Sequence, residues 1–407
     1  MPRTYQIANN KYQHWDVKIL LCNKFYYRRG GDCIYTMNLE QLLKSHGHEV
    51  AIFSQQYPLN EPSPWSKYWP TEFKMKPSLH MFDSLLRPFG LGSVQKQFKA
   101  ILDDFQPDVV HLNNIHTQLS PILAELAHER GIRVIWTLHD TKLVCPCYTC
   151  MRDGKWCEEC FADKRAVLHH KCMTGGVLGS YIGYQEAKTW TAERLQQSVD
   201  AFICPSQFLA NTMKRGGYEA DKLYVTHNFI AEDKVKVVNR EKHEFYVFLG
   251  RLTSIKGIYT LCEAASTLPY QLIVIGGGDA EDALRTKYAQ SKQIIFKGQL
   301  DWDEIKPLVA SSKFTVVPSE WSENNPFSII ESLSLGTPVL GAQIGGIPEL
   351  INPSNGITFT SGDKNDLVRK IEEMWQKDFD YQKIAEDALS IYGDDSHYHN
   401  LLTMYNR

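Results

Sequence analysis

The chain lacks the features that would place it in several broad classes. It has no excess of positive charge: 44 Lys and Arg stand against 47 Asp and Glu, a formal charge of -3. That removes the global basic signature of a nucleic-acid binder. It has no uninterrupted apolar run of the roughly 18 residues that a membrane span needs. The opening stretch, residues 1–16, is polar and without an apolar leader segment; we read it as a loose extension and expect a cytoplasmic protein. A short-period repeat is missing too. So is the dinucleotide fingerprint: Gly30-Gly31 and Gly276-Gly277-Gly278 lack its spacing, which argues against a nicotinamide enzyme.

What is present is alternation. At 407 residues the chain exceeds one ordinary core. Buried-strand runs such as 17–22, 48–53, 108–112 and 134–138 alternate with helical stretches at 34–46, 94–105 and 120–130. One further helix is expected at 184–197, then strand 201–206 and helix 207–215. A charged stretch follows residue 230, and the alternation restarts with strand 245–249. These patterns predict an α/β protein with two Rossmann-like, mostly parallel sheets, each with helices on both faces. The expected division is 1–229, 230–385 and a helical segment 386–407 that crosses back to the first domain.

The stretch Ser322 to Val339 has the strongest local signal. It follows a strand-like run, and its helix carries both end signals: Asn325 as N-cap with Pro326 at the first helical position, then Gly336 and Pro338. Glu323 stands in the loop and Glu331 inside the apolar helical run; a solvated turn is the plain alternative for Glu331. Upstream, Gly250 to Gly257 sits between a strand and a helix, where N–H groups point outward and suit an anion. Arg251 and Lys256 there would offset the charge of a leaving diphosphate, unless both are merely solvated. Gly276 and Gly278 allow a backbone to approach a ligand closely, or simply form a tight turn. His139 ends a strand at the crevice edge, with a structural pair to Asp140 as the alternative; His111 and His116 are weaker candidates of the same kind.

Six of the ten cysteines lie at Cys145, Cys147, Cys150, Cys157, Cys160 and Cys172. In a reducing compartment such clustering favours a metal over disulfides. Cys157 and Cys160 have ligand spacing, while Cys145, Cys147 and Cys150 compete for the rest; His169 or His170 is an alternative ligand. Free thiols are the ordinary alternative. The excursion from Tyr57 to Lys76 carries Trp65, Tyr68 and Trp69, which suit stacking on a sugar, a lipid headgroup region, or plain packing.

Taken in order, Gly30-Gly31, Gly47-His48-Glu49-Val50, Thr137-Leu138-His139-Asp140, Gly250-Arg251-Leu252 with Lys256-Gly257, Gly276 to Gly278, and Glu323 and Glu331 flanking Pro326-Phe327 resemble a retaining glycosyltransferase of family 4, with the GT-B fold. The resemblance spans nearly the whole chain. It implies that Arg251 and Lys256 bind the donor diphosphate, that Glu331 holds the ribose and that Glu323 faces the transferred sugar. It places backbone N–H groups near Asn325 and Phe327 on sugar or phosphate, His139 near the anomeric centre, Gly30 and Gly31 along the diphosphate and acceptor, and Gly298 near the base. No catalytic metal is implied. A subset of the family carries a cysteine insertion after its His-Asp pair, which implies a structural zinc on Cys145, Cys157, Cys160 and Cys172. The expected activity is transfer of a hexose-type sugar from a nucleotide-sugar (UDP- or GDP-sugar) to a saccharide or lipid-linked acceptor, by front-face attack or by double displacement on Glu323. Exopolysaccharide or cell-surface glycan synthesis is the expected setting, with a peripheral contact at the cytoplasmic membrane face. The alternatives are a nucleotide-sugar epimerase of the same architecture and a non-catalytic nucleotide-sugar-binding protein.

Overall fold

The computed structural model describes residues 17–74, 81–236 and 241–406. The opening extension and the end of the aromatic excursion, Met75 and Lys76, lie outside them. Two six-stranded parallel sheets carry the fold. The first contains β1 (Lys18–Cys22), β2 (Glu49–Phe53), β3 (Val109–Leu112), β4 (Arg133–Thr137), β7 (Ala201–Cys204) and β8 (Leu223–Val225) in the order β2-β1-β3-β4-β7-β8. A small antiparallel hairpin, β5 (Met151–Arg152) and β6 (Lys155–Trp156), belongs to the cysteine insertion. The second sheet contains β9 (Phe245–Leu249), β10 (Gln271–Ile275), β11 (Ile294–Gly298), β12 (Thr315–Val317), β13 (Val339–Ala342) and β14 (Gly356–Phe359), ordered β11-β10-β9-β12-β13-β14. Strands such as β1, β3 and β13 are apolar along nearly their whole length because helices cover both faces.

Each sheet reverses its strand order once, between β1 and β3 in the first and between β9 and β12 in the second. Loops leaving the C-terminal ends of those strands diverge and open a crevice. Core membership changes at one point in the chain. Phe229 belongs to the first core and Ile230 to the second. The chain returns near Gly393, which bridges Ile230, and the helix Asp394–Tyr405 lays Leu401, Met404 and Tyr405 into the first core.

Several local expectations are corrected. Asn325 does not cap the helix Phe327–Ser334: Pro326 holds that position with no side-chain cap, and Asn325 Oδ1 instead accepts from the Asn228 N–H at 2.8 Å. The single helix expected at 184–197 is two, Gly176–Thr189 and Ala192–Gln196. Trp190 breaks it by turning inward to donate its indole N–H to Pro88 O, and Thr191 caps the second piece. The helical segment expected from 386 begins earlier, at Tyr381 with Asp380 as its cap, and is interrupted at Gly393 before the helix Asp394–Tyr405. The aromatic excursion is packing: Trp69 is buried with its indole N–H on Ile52 O, Trp65 sits edge-on to Phe105, and Tyr68 bonds Asp104.

Candidate functional site

On the second domain, the loop after β9 and the loop after β12 meet. Gly257 adopts a left-handed backbone (φ 70°), and a Cβ there would lie 1.8 Å from Pro318 O. That close approach sets Lys256 against the β12 loop. Lys256 Nζ lies 2.5 Å from Glu323 Oε1, which also accepts from Ser319 Oγ at 2.8 Å. Glu323 is buried. Two residues read separately in the sequence thus form one ion pair. Arg251 is exposed and has no ion-pair partner among the described residues.

Gly276 and Gly278 are small for a different reason than ligand approach. A Cβ on Gly276 would meet Gly250 O at 2.0 Å, and one on Gly278 would meet Leu252 O at 2.5 Å. The glycines let the loops after β9 and β10 lie against each other, and Gly298 O accepts from the Gly276 N–H. Glu331 sits in the second turn of the helix Phe327–Ser334, whose first N–H groups have no intrahelical acceptor. Burial raises the Glu331 carboxyl to about 7, against the opposing pull of Lys234. Lys234 was not singled out in the sequence. It reaches across the junction to Asn38 Oδ1 at 2.7 Å, and burial lowers its own pKa.

On the first domain, the loops after β1, β3 and β4 converge at the reversal of strand order. Gly31 faces the second domain directly: a Cβ there would lie 3.7 Å from the Phe327 ring, which itself packs on the first core. Asp32 follows in the first turn of the helix Gly31–Ser45. His139 Nε2 lies 3.0 Å from Asn113 Oδ1, and Tyr35 stands edge-on to its ring at 5.1 Å. Its hydrogen-bond partner is therefore Asn113 and not Asp140. Burial lowers the His139 pKa, against Asp32 and Asp140, and favours the neutral ring. His111 is fully buried between Tyr405 and Thr137, and His116 stacks on Trp136, so neither faces the crevice as His139 does.

Polar contacts span the two domains beside this crevice. Ser206 Oγ donates to Asn324 Oδ1 at 2.6 Å, and Asn324 Nδ2 donates to Leu138 O at 3.3 Å. Glu349 accepts the Gln207 and Phe208 N–H groups at 2.7 and 2.5 Å, at the N-terminus of the helix Gln207–Arg215. These residues were not found from sequence. The signal available was small: a Gly345-Gly346 pair ahead of Glu349, whose glycines let loop 344–346 press on the backbone of Glu323 and Asn324.

The cysteine insertion does not assemble the expected quartet. Cys145 Sγ lies 3.3 Å from Cys147 Sγ, outside that set, and the thiols of Cys147, Cys150 and Cys160 pull the Cys145 pKa down. Among the described residues no three His, Cys, Asp or Glu side chains are placed to hold a metal ion. The insertion has other supports. Cys160, Ala166 and Val167 form a small apolar nucleus, Trp156 meets Phe208 edge-on, and Arg215 pairs with Glu158 at 2.7 Å.

The comparisons with known proteins agree with this geometry. A family model described as Glycosyltransferase Family 4 matches residues 29–234, and one described as Glycosyl transferases group 1 matches 229–390. The chain is 23% identical over 398 residues to an uncharacterized 42.6 kDa protein in the cps region of Klebsiella pneumoniae, covering 92% of this chain and 100% of that one. It is 23% identical over 209 residues to O-antigen chain mannosyltransferase C of Escherichia coli, covering 48% and 56%. Among solved structures, sucrose-phosphate synthase of Thermosynechococcus elongatus superposes with a TM-score of 0.69 at 17% identity, covering 96% and 98%. Anabaena HepE in complex with UDP-glucose superposes at 0.62 and 16% identity, covering 96% and 100%. No helix among the described residues is long and apolar enough to cross a membrane.

Proposed function

The chain belongs to glycosyltransferase family 4, and from that premise we propose that it moves a hexose-type sugar, with retention, from a UDP- or GDP-sugar to a saccharide or lipid-linked saccharide acceptor. The observation that carries this reading is the Lys256–Glu323 pair at the second domain's reversal point, with Glu331 close by in sequence and the Gly31 loop across from Phe327. Lys256 and Arg251 receive the diphosphate, Glu331 takes the ribose hydroxyls, and Glu323 fixes hydroxyls of the transferred sugar. Backbone N–H groups of Asn325 and Phe327 and the neutral His139 complete the donor's surroundings. The division at residue 229 is part of the same proposal, supported by the change of core at Phe229 and Ile230. Position 385, by contrast, falls within the helix Tyr381–Tyr392, whose Ala388 and Tyr392 stay in the second core, so the crossing back begins near Gly393.

In the reaction, the acceptor hydroxyl oxygen bonds to the anomeric carbon as the bond from that carbon to the diphosphate breaks. The nucleoside diphosphate departs, and the hydroxyl proton passes to its phosphate oxygen. Lys256 and Arg251 offset the charge that grows there. Front-face attack is favoured over a Glu323 nucleophile because Glu323 Oε1 is already engaged by Lys256 and Ser319. The polysaccharide-related names of the relatives support a role in cell-surface glycan assembly, at the cytoplasmic face where nucleotide sugars are made. Thermal melts with UDP, GDP, ADP and CMP test the reading. A ligand at a hundred times its Kd adds about 2.7 kcal/mol, so UDP or GDP raises the melting temperature, and no shift with any of them ends the reading. The anomeric configuration of the product by NMR tests retention.

A further inference from the structure

Two buried polar atoms at the first domain's reversal point have no hydrogen-bond partner among the described residues: Asp32 Oδ2 and Asn113 Nδ2. Folded proteins leave few such atoms, since each costs about 1–3 kcal/mol until something fills it. These two are neighbours of one side chain. Asn113 follows β3, and its Oδ1 lies 3.0 Å from His139 Nε2. Asp32 follows Gly30-Gly31, and its charge acts on His139. If the Asn113 amide is turned over, its oxygen becomes the unpaired atom, so one polar atom remains unsatisfied in either assignment.

The surroundings of Asp32 also point outward. The nearest cation to Oδ2 is Lys24 Nζ at 3.8 Å, close enough for attraction and too far for a hydrogen bond. Asp32 stands one residue from Gly31, which faces Phe327 across the domain junction. An unpaired hydrogen-bond acceptor and an unpaired donor border the histidine assigned to the anomeric centre, on the domain that does not carry the diphosphate side chains. A sugar hydroxyl, which both donates and accepts, complements such a pair.

We propose that Asp32 and Asn113 position the acceptor sugar, Asp32 taking a hydrogen bond from the reacting hydroxyl and Asn113 giving one to a neighbouring oxygen. The assignment rests on the glycosyltransferase reading and deepens it. The acceptor ring bound here carries no carboxylate or phosphate of its own at these positions, because Asp32 would repel it. Burial works to raise the Asp32 pKa, but Lys24, His139, the Cys33 N–H and Asn114 outweigh it and keep the carboxylate charged. Asp32 therefore orients the hydroxyl without retaining its proton. The new bond joins the hydroxyl oxygen to the anomeric carbon, the bond to the diphosphate breaks, and the proton leaves on the diphosphate.

The partition between transfer and hydrolysis tests the assignment. Wild type, Asp32→Ala and Asp32→Asn are given UDP-glucose, UDP-galactose and GDP-mannose with the p-nitrophenyl glycosides of glucose, galactose and mannose, water being the competing acceptor. Asp32→Ala should lower kcat/KM for the glycoside by about 30-fold, the scale of one hydrogen bond to a charged group. The melting shift with free nucleotide should stay close to wild type, and hydrolysis of the donor should fall by much less than transfer. Asp32→Asn keeps one accepting oxygen and should recover part of the loss. A parallel fall in transfer and hydrolysis overturns the assignment in favour of a donor or structural role. An unchanged partition with a lower melting temperature also overturns it, and points to a buried water between the two atoms. Wild-type protein that neither transfers nor hydrolyses any donor, and binds no nucleotide, overturns the glycosyltransferase reading itself.

Discussion

The two domains share a six-stranded parallel architecture with different strand orders, and their crevice edges are built by different means. On the second, charge meets charge: Lys256 and Glu323 pair at 2.5 Å, and Arg251 and Glu331 belong to the same two stretches of chain. On the first, the uncharged Asn113 and Asn114 and the neutral His139 are deeply buried, with the carboxyls of Asp32 and Asp140 near the histidine and Lys24 beside Asp32. The difference fits two tasks. A diphosphate is a strong, compact charge that is held by ions near the surface of a loop. A sugar hydroxyl has none, and is recognised by fixed amides and carboxylates whose geometry must be set in advance.

The largest test of that contrast removes the charge from the donor side. Lys256→Ala should depress turnover by roughly 10²–10³, the cost of one strong transition-state donor. It also leaves Glu323 buried without its cation, which destabilises the fold on its own account. The double variant Lys256→Ala/Glu323→Gln separates the effects: its melting temperature should recover while turnover remains low. A single variant with tenfold loss or less removes Lys256 from the diphosphate.

This contrast also explains what could be read from the chain alone. Parallel strands buried on both faces announce themselves as continuous apolar runs, so β1 and β9 were legible, as was the helix 207–215. The proposed donor residues drew attention in the sequence because they cluster in two short stretches, 250–257 and 322–331, each following a strand and running into a helix. The first domain's edge was legible only in part: Gly30, Gly31 and His139 were read, while Asp32 and Asn113 were not. Asp32, Asn113 and His139 come from three strand ends, and only the order of strands in the sheet makes them neighbours. Glu349 was hidden for a similar reason, since its partners are backbone N–H groups that have no sequence signature. The cysteines misled in the opposite direction. Their density suggested a quartet, but spacing along the chain does not say which thiols converge, and Cys147, Cys150 and Cys160 are the ones beside Cys145.

A second test asks how much the ribose depends on charge. The Glu331 carboxyl is raised to about 7 by burial. A carboxyl raised in the folded state favours folding while protonated, and that contribution is lost as pH rises through about 7. Nucleotide binding should move the other way, strengthening over the same range as the ionised carboxylate accepts two hydroxyls. Glu331→Gln should flatten both profiles and weaken nucleotide affinity by about tenfold or more at alkaline pH, the worth of hydrogen bonds to a charged group. Calorimetric titrations from roughly pH 5.5 to 8.5, on either side of the raised value of about 7, read this directly. Affinity that does not depend on pH in wild type would remove Glu331 from the ribose.

A smaller effect is expected where the domains are tied rather than where they bind. Glu349 holds the N-terminus of the helix Gln207–Arg215 from across the junction, and it is exposed. A carboxylate at such a place contributes about 0.3–1 kcal/mol. Glu349→Ala should therefore lower kcat/KM by up to about fivefold, with nucleotide affinity unchanged and a larger radius of gyration in small-angle scattering. Unchanged scattering would show that Ser206 and Asn324 hold the junction without it.

A last effect, on stability rather than turnover, concerns the helix Asp394–Tyr405, which lays buried rings into the first domain. His397 bonds Tyr35 OH at 3.0 Å and stacks on Phe229, and burial lowers its pKa to about 3. The folded state thus holds His397 neutral, while the unfolded chain takes up a proton below about 6.5. Stability must fall as pH drops below that value, by about 1.4 kcal/mol per unit for this one group, until the folded state is itself protonated. Tyr35→Phe/His397→Phe removes the titrating ring without stranding the tyrosine hydroxyl. Its urea-unfolding free energy should decline less steeply than wild type between pH 6.5 and 5, the remaining slope coming from His111 and His116, which burial likewise lowers to about 3. Identical slopes in the two proteins would mean that this helix lets His397 protonate in place, and that the acceptor side is held less rigidly than its buried amides require.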